Sequence, residues 1–193
     1  MQLTIPPPIP EGRPKLSSTS QYNIPGVEIS TVSTRALAAN RIQYTPIYVK
    51  TTIVIDQVAI EVTTAGAAGK LARVALYNTD VDWQPTSKVF DAGTVAVDPG
   101  TPPTITTASV SATLAPGRYL VALISDGTPT LRVWRGGSRY FGLISTLNTT
   151  PLIQYVYVAG SGTTLPDPGT AWTSVTSGTL PPEHLVVFRV SAP

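Results

Sequence analysis

The chain reads as an all-β protein: an antiparallel two-sheet β-sandwich, jelly-roll-like, preceded by an extended Pro-rich N-terminal arm. Three observations predict this. Short β-branched and aromatic runs alternate with turn residues along the chain. Pro 19 and Gly 15 are spread throughout rather than gathered in one linker, and both residues break helices. Helix-favouring stretches are nearly missing; the longest, Ser33–Asn40, is about two turns and marginal in isolation. At 193 residues and 20.3 kDa the chain fits one sizeable core.

Residues 1–30 differ from the rest. Pro6, Pro7, Pro8, Pro10, Pro14 and Pro25 sit among Ser, Thr and Gly, a composition that favours an extended polyproline-like path of ~3.1 Å per residue. Leu3, Ile5, Ile9, Leu16, Ile24, Val27 and Ile29 punctuate it with apolar groups that a solvating tail does not need. The segment is therefore expected to be an attachment arm, with Leu3, Ile5, Pro6, Pro7, Pro8, Ile9, Leu16, Ile24 and Val27 as its contacts. Proline lowers the entropy lost when such an arm docks.

The sandwich is expected over residues 31–193. Arg41–Val49 alternates, with Ile42, Tyr44 and Tyr48 on one face, and Pro46 places this strand at an edge or a bulge. Next, Ile53 and Ile55 fall on odd positions but Val58, Ile60 and Val62 on even ones. One regular strand cannot bury both sets on the same face, so a β-bulge is expected near Asp56-Gln57. The small-residue turn Thr63–Gly69 leads into Leu71–Tyr77, and a loop from Asn78 to Ser87 carries Trp83 and Pro85. Lys88–Phe90 and Val95–Val97 follow, then the break Asp98-Pro99-Gly100-Thr101-Pro102-Pro103 and the weakly alternating Thr104–Leu114. Past the turn Ala115-Pro116-Gly117, Arg118–Ser125 is apolar on both faces, as expected of a central strand covered on both sides. Strands over Leu131–Trp134, Leu152–Val158 and Leu185–Val190 complete a set of eight or more.

Composition excludes several function classes. Lys+Arg 13 against Asp+Glu 11 leaves +2, with 12% charged residues, too sparse for a nucleic-acid binder that neutralises phosphates. Cys 0 removes thiolate chemistry and Cys-ligated metals, and one histidine, His184, cannot build a His-rich site. The start, Met1–Pro8, lacks a basic region and an unbroken apolar stretch, so no secretory signal is read there. No run approaches the ~18 apolar residues of a membrane span. Synthesis in a cytoplasm is expected, with no membrane partner and no cofactor.

Candidate chemistry is thin. A hydrolase triad would need His184 as base, but no Gly-x-Ser-x-Gly elbow exists, and Pro181-Pro182-Glu183-His184 reads as a surface turn. Asp80, Asp82, Asp91, Asp98, Asp126, Glu61 and Glu183 could supply a glycosidase pair, yet most sit where Asp serves a turn. Asn78-x-Asp80-x-Asp82 opens like a calcium loop, but Trp83 and Val89 stand where Gly and Glu are required, so Asx turns are expected instead. Neither a catalytic nor a metal site is expected. The concentrated basic–aromatic stretch Leu131–Tyr140 offers Arg132, Trp134, Arg135 and Arg139 as interface or glycan contacts, in a chain with nine Arg to four Lys. Trp83 and Trp172 are the tryptophans in loop contexts, suited to stacking on a sugar.

From Arg41 to about Tyr119 the chain resembles a β-sandwich module of tailed-bacteriophage structural proteins, found in tail-fibre ends, minor tail proteins and head-surface proteins. The matching pieces are Asn40-Arg41-Ile42-Gln43-Tyr44-Thr45-Pro46-Ile47-Tyr48-Val49, Ile60–Gly69, Ala75-Leu76-Tyr77-Asn78, Asp91-Ala92-Gly93-Thr94 and Leu114-Ala115-Pro116-Gly117-Arg118-Tyr119, together about half of the chain. The resemblance implies a non-enzymatic virion-surface protein, often a homotrimer, and supplies no catalytic residues. With an arm of 30 residues in place of a fibre shaft, it favours a capsid decoration (cement) protein or short head fibre, whose partners are copies of itself and the major capsid protein or another virion component. The alternative it leaves is a tail-fibre or spike module that recognises host-surface carbohydrate.

Overall fold

A computed structural model describes residues 22–26, 29–136, 156–171 and 183–191. Twelve strands and no helix occur among them, paired antiparallel throughout in two sheets. The larger sheet holds β1 (Tyr22–Asn23), β2 (Ile29–Ala36), β4 (Ile53–Thr64), β7 (Thr104–Leu114), β9 (Thr130–Gly136), β11 (Glu183–His184) and β12 (Val187–Ser191). The smaller runs in the order β10 (Val156–Ala159), β3 (Arg41–Val49), β8 (Gly117–Ser125), β5 (Leu71–Thr79), β6 (Pro85–Ala96). The expected β-sandwich is what the chain forms.

β4 is the hub of the larger sheet. β7 lies along one side; β12 and then β9 lie along the other. The expected bulge is there: the pairing of β4 with β7 slips between Ile55 and Gln57, and that with β12 slips opposite the same step. As a result Ile53, Ile55, Val58, Ile60 and Val62 all reach the inter-sheet core, each no more than 2% exposed. In β8, Tyr119, Val121 and Leu123 join that core from the opposite sheet, whereas Leu120, Ala122 and Ile124 point outward into a second cluster with Ile42, Tyr44 and Tyr77. Residues 160–171 lay Leu165 over this outer cluster as a strap. It is tied down by Tyr77 Oη donating to the Pro166 carbonyl (2.5 Å), the Thr170 amide to Tyr44 Oη (3.2 Å) and the Gly169 amide to the Thr86 carbonyl (3.0 Å). Burial raises the pKa of Tyr44 to about 12, so both ring hydroxyls stay neutral donors and acceptors under the strap.

Three local details bear on these expectations, and one of them, at β6, changes. The marginal helix candidate Ser33–Asn40 forms no helix and is strand up to Ala36, because pairing with β9 outweighs a weak local preference. The two expected strands at 88–90 and 95–97 form one irregular 12-residue strand, β6. Pro46 faces Leu120 of β8, while β10 pairs only with residues 41–44 among the described residues, so the missing amide donor falls on the open side of β3.

Candidate functional site

The arm's root is built into the sandwich. Tyr22 and Asn23 pair with Arg189 and Phe188, and the Tyr22 hydroxyl donates to Gln57 Oε1. Ile24, expected among the attachment contacts, is 3% exposed and packed in the inter-sheet core, so its side chain serves the fold. Gly26 follows at φ +73°, under the carbonyl of Tyr48. The fold thus reaches back to Tyr22, ahead of residue 31. Leu3, Ile5, Pro6, Pro7, Pro8, Ile9, Leu16 and Val27 lie outside the described residues, as do Arg139 and Trp172.

Strand alternation separates the basic–aromatic stretch. Leu131 and Val133 face the core and Arg132 points to the other face of β9, whereas Trp134, opposite Val32 of β2, is partly buried and packs against the inter-sheet core. Arg132 donates through Nε (3.1 Å) and Nη2 (2.8 Å) to Glu61 Oε1. Directly across β4 from Glu61 stands Ile105, 56% exposed, and Val32 is 55% exposed. The Arg132–Glu61 ion pair and the exposed Val32 and Ile105 therefore mark the larger sheet, with the Arg that interface centres favour. Arg135 alternates away from Arg132 and pairs with Glu183 in register.

Trp83 is elsewhere. It sits at the tip of the β5–β6 loop at φ +63°, packed on the outer cluster of the smaller sheet, with the Arg118 guanidinium 4.9 Å from its ring centroid. Neighbouring Val81 is 80% exposed. Asp80 Oδ1 accepts from the amides of Asp82 (2.9 Å) and Gln84 (2.8 Å), the Asx-turn arrangement expected of this loop. Because that oxygen is already committed to main-chain donors, EDTA is expected to leave the melting temperature unchanged; a drop in thermal scans with and without chelator would show a bound cation.

Four further carboxylates, Asp56, Asp91, Asp98 and Asp126, are structural clamps. Asp98 and Asp126 do not close their own turns but hold the β4–β5 turn from outside, accepting from the amides of Gly69 (2.6 Å) and Leu71 (2.8 Å). Asp56 pairs with Arg189 at 2.7 Å. Burial pushes the Asp91 pKa up, but hydrogen bonds from Arg73 and Lys88 and from the Gly93 amide outweigh it and leave the group below its ordinary value. Among the described residues, no three His, Asp or Glu side chains are grouped to hold a metal.

His184 overturns the expectation of a surface turn. It is 2% exposed in β11, where it pairs with Trp134, and burial lowers its pKa to about 3. The physical reason is that β11 continues the line of β12 against β9, carrying the ring between the sheets. There it lines a small cavity with Gln43 and Thr45 of β3 and Leu185 and Val186. Sequence reading missed Gln43 because the apolar Ile42 and Tyr44 suggested that the other face of β3 pointed to solvent; Ile47 and Val49 on that other face were the available signal.

Compared with known proteins, the chain matches no family model, no curated protein and no solved structure.

Proposed function

We propose that this chain is a structural surface protein of a tailed-bacteriophage particle, a trimeric capsid decoration (cement) protein or short head fibre, that attaches through its N-terminal arm. The observation that carries the reading is the clamped root: Ile24 in the core and Tyr22 bonded to Gln57 give a Pro-rich, apolar-studded segment a fixed point of departure. An arm that must transmit attachment to a rigid body needs such a joint. A solvating tail does not.

Association with copies of itself is supported by β7. Its 11 residues, Thr104–Leu114, contain no charged side chain, and among the described residues it hydrogen-bonds to β4 alone. Edge strands of proteins that stay single are commonly blunted by charge, proline or bulges. β6 has all three, in Lys88, Asp91, Pro85 and its register slips, and β7 has none of the first two. The glycan reading gains less, because the ring of Trp83 is engaged by Arg118 and the outer cluster.

Removing residues 1–20 tests the arm, and this boundary spares the root. The truncated protein is expected to melt as the full chain does and to lose binding to phage particles assembled without it, scored by co-sedimentation. Particles still decorated by the truncated chain would overturn the attachment role.

A further inference from the structure

The geometry points to a specific internal water site between the two sheets, built around Gln43. That side chain is 2% exposed on the inner face of β3, and among the described residues neither its Nε2 nor its Oε1 has a hydrogen-bonding partner. A buried primary amide with both ends unanswered is rare, because each end forgoes bonds that water offers the unfolded chain. Gln43 does not point into packed hydrocarbon. It lines a cavity of ≈ 10 Å³, closed on the far side by His184, Leu185 and Val186.

Size and polarity together select the occupant. A space of that volume is about one water, too small for an organic ligand. Its lining holds the polar residues Gln43, Thr45 and His184, the last neutral at ordinary pH, beside Val121, Leu123, Leu185 and Val186, and among the described residues no carboxylate or ammonium. An anion or a cation would meet no opposite charge, whereas a water both donates and accepts. Leu185 and Val186 also line the cavity where the backbone passes between β11 and β12. The water accepts from Gln43 Nε2 or donates to Oε1, and its remaining bonds reach the opposite wall. It thereby links β3 of the smaller sheet to the β11–β12 junction of the larger one, beside the core residues Val121 and Leu123 of β8. This inference is independent of what the protein attaches to.

Water–protein cross-relaxation on the full-length labelled protein reads the site directly. A long-lived water is expected to give cross-peaks to the Gln43 side-chain amide protons, with the sign of a molecule that tumbles with the protein. Gln43→Met keeps the length and removes donor and acceptor, so the number of long-lived waters counted by deuteron relaxation dispersion is expected to fall by one. A wild-type protein with no water cross-peak at the Gln43 amide overturns the site, whether or not the variant folds; an unchanged count in a folded Gln43→Met overturns it as well.

Discussion

Taking the protein from pH 7 to pH 5 is expected to cost the fold about 2 kcal/mol through one side chain, His184. Burial at 2% exposure disfavours the imidazolium, lowering the folded-state pKa from 6.5 to about 3. Above pH 6.5 the ring is neutral in both states and the linkage contributes nothing. As pH falls below 6.5 the unfolded chain takes up a proton that the folded chain refuses, so stability is lost progressively until pH approaches 3. At ~1.36 kcal/mol per pH unit, the ~1.5 units between 6.5 and 5 give the figure above. The composition makes this measurement clean. His184 is the sole histidine, and ordinary carboxylates titrate mostly below about pH 5. Urea unfolding at pH 7, 6 and 5 should show a falling midpoint at constant slope. The single imidazole should meanwhile keep its neutral NMR shifts down to pH 5. An imidazole titrating near 6.5 in the folded protein, with a flat midpoint, would mean that β11 does not hold the ring between the sheets.

Much of the architecture could be read from the chain because it is written in side-chain period. The parity change from Ile55 to Val58 forced a bulge, and the pairing slips at that step. The two apolar faces of Arg118–Ser125 demanded cover on both sides, and β8 has it. Period does not say what supplies the cover. For the outer cluster it is residues 160–171, a strap without strand alternation whose Pro166, Gly169 and Thr170 bond through main-chain atoms. Side-chain identity carries almost no signal for such contacts. His184 escaped for a related reason: the turn-like Pro181-Pro182 before it said nothing of a partner strand about 50 residues upstream. The basic–aromatic stretch was half legible. Alternation alone splits Arg132 from Arg135, but the pairing of Arg132 with Glu61 depends on β9 lying beside β4.

Gly26→Ala is expected to destabilise the arm's root by about 3 kcal/mol, roughly three times the effect of Gly69→Ala, although the two glycines share nearly the same backbone angle. Gly69 at φ +75° has nothing within 4 Å of an added methyl, so its substitution carries the left-handed penalty alone, about 1 kcal/mol. Gly26 at φ +73° has the same penalty, and its methyl would also drive into the Tyr48 carbonyl oxygen and come within 3.1 Å of the carbonyl carbon. That carbonyl cannot retreat freely, because Tyr48 is held opposite Arg118 in the β3–β8 ladder. The chain at Gly26 must yield instead, and its escape is to undock. Undocking exposes Ile24 and breaks the Tyr22–Gln57 bond; uncovering one isoleucine costs about 2–3 kcal/mol, which caps the loss near the value given. In a domain of this size the two variants should differ in melting temperature by about 4–8 °C if the root melts with the sandwich. If it lets go first, Gly26→Ala should become sensitive to protease around residues 22–26 while Gly69→Ala stays protected. Equal melting temperatures with equal protection would show that the root is not seated beneath Tyr48, and the arm would then lack the rigid joint on which its attachment role depends.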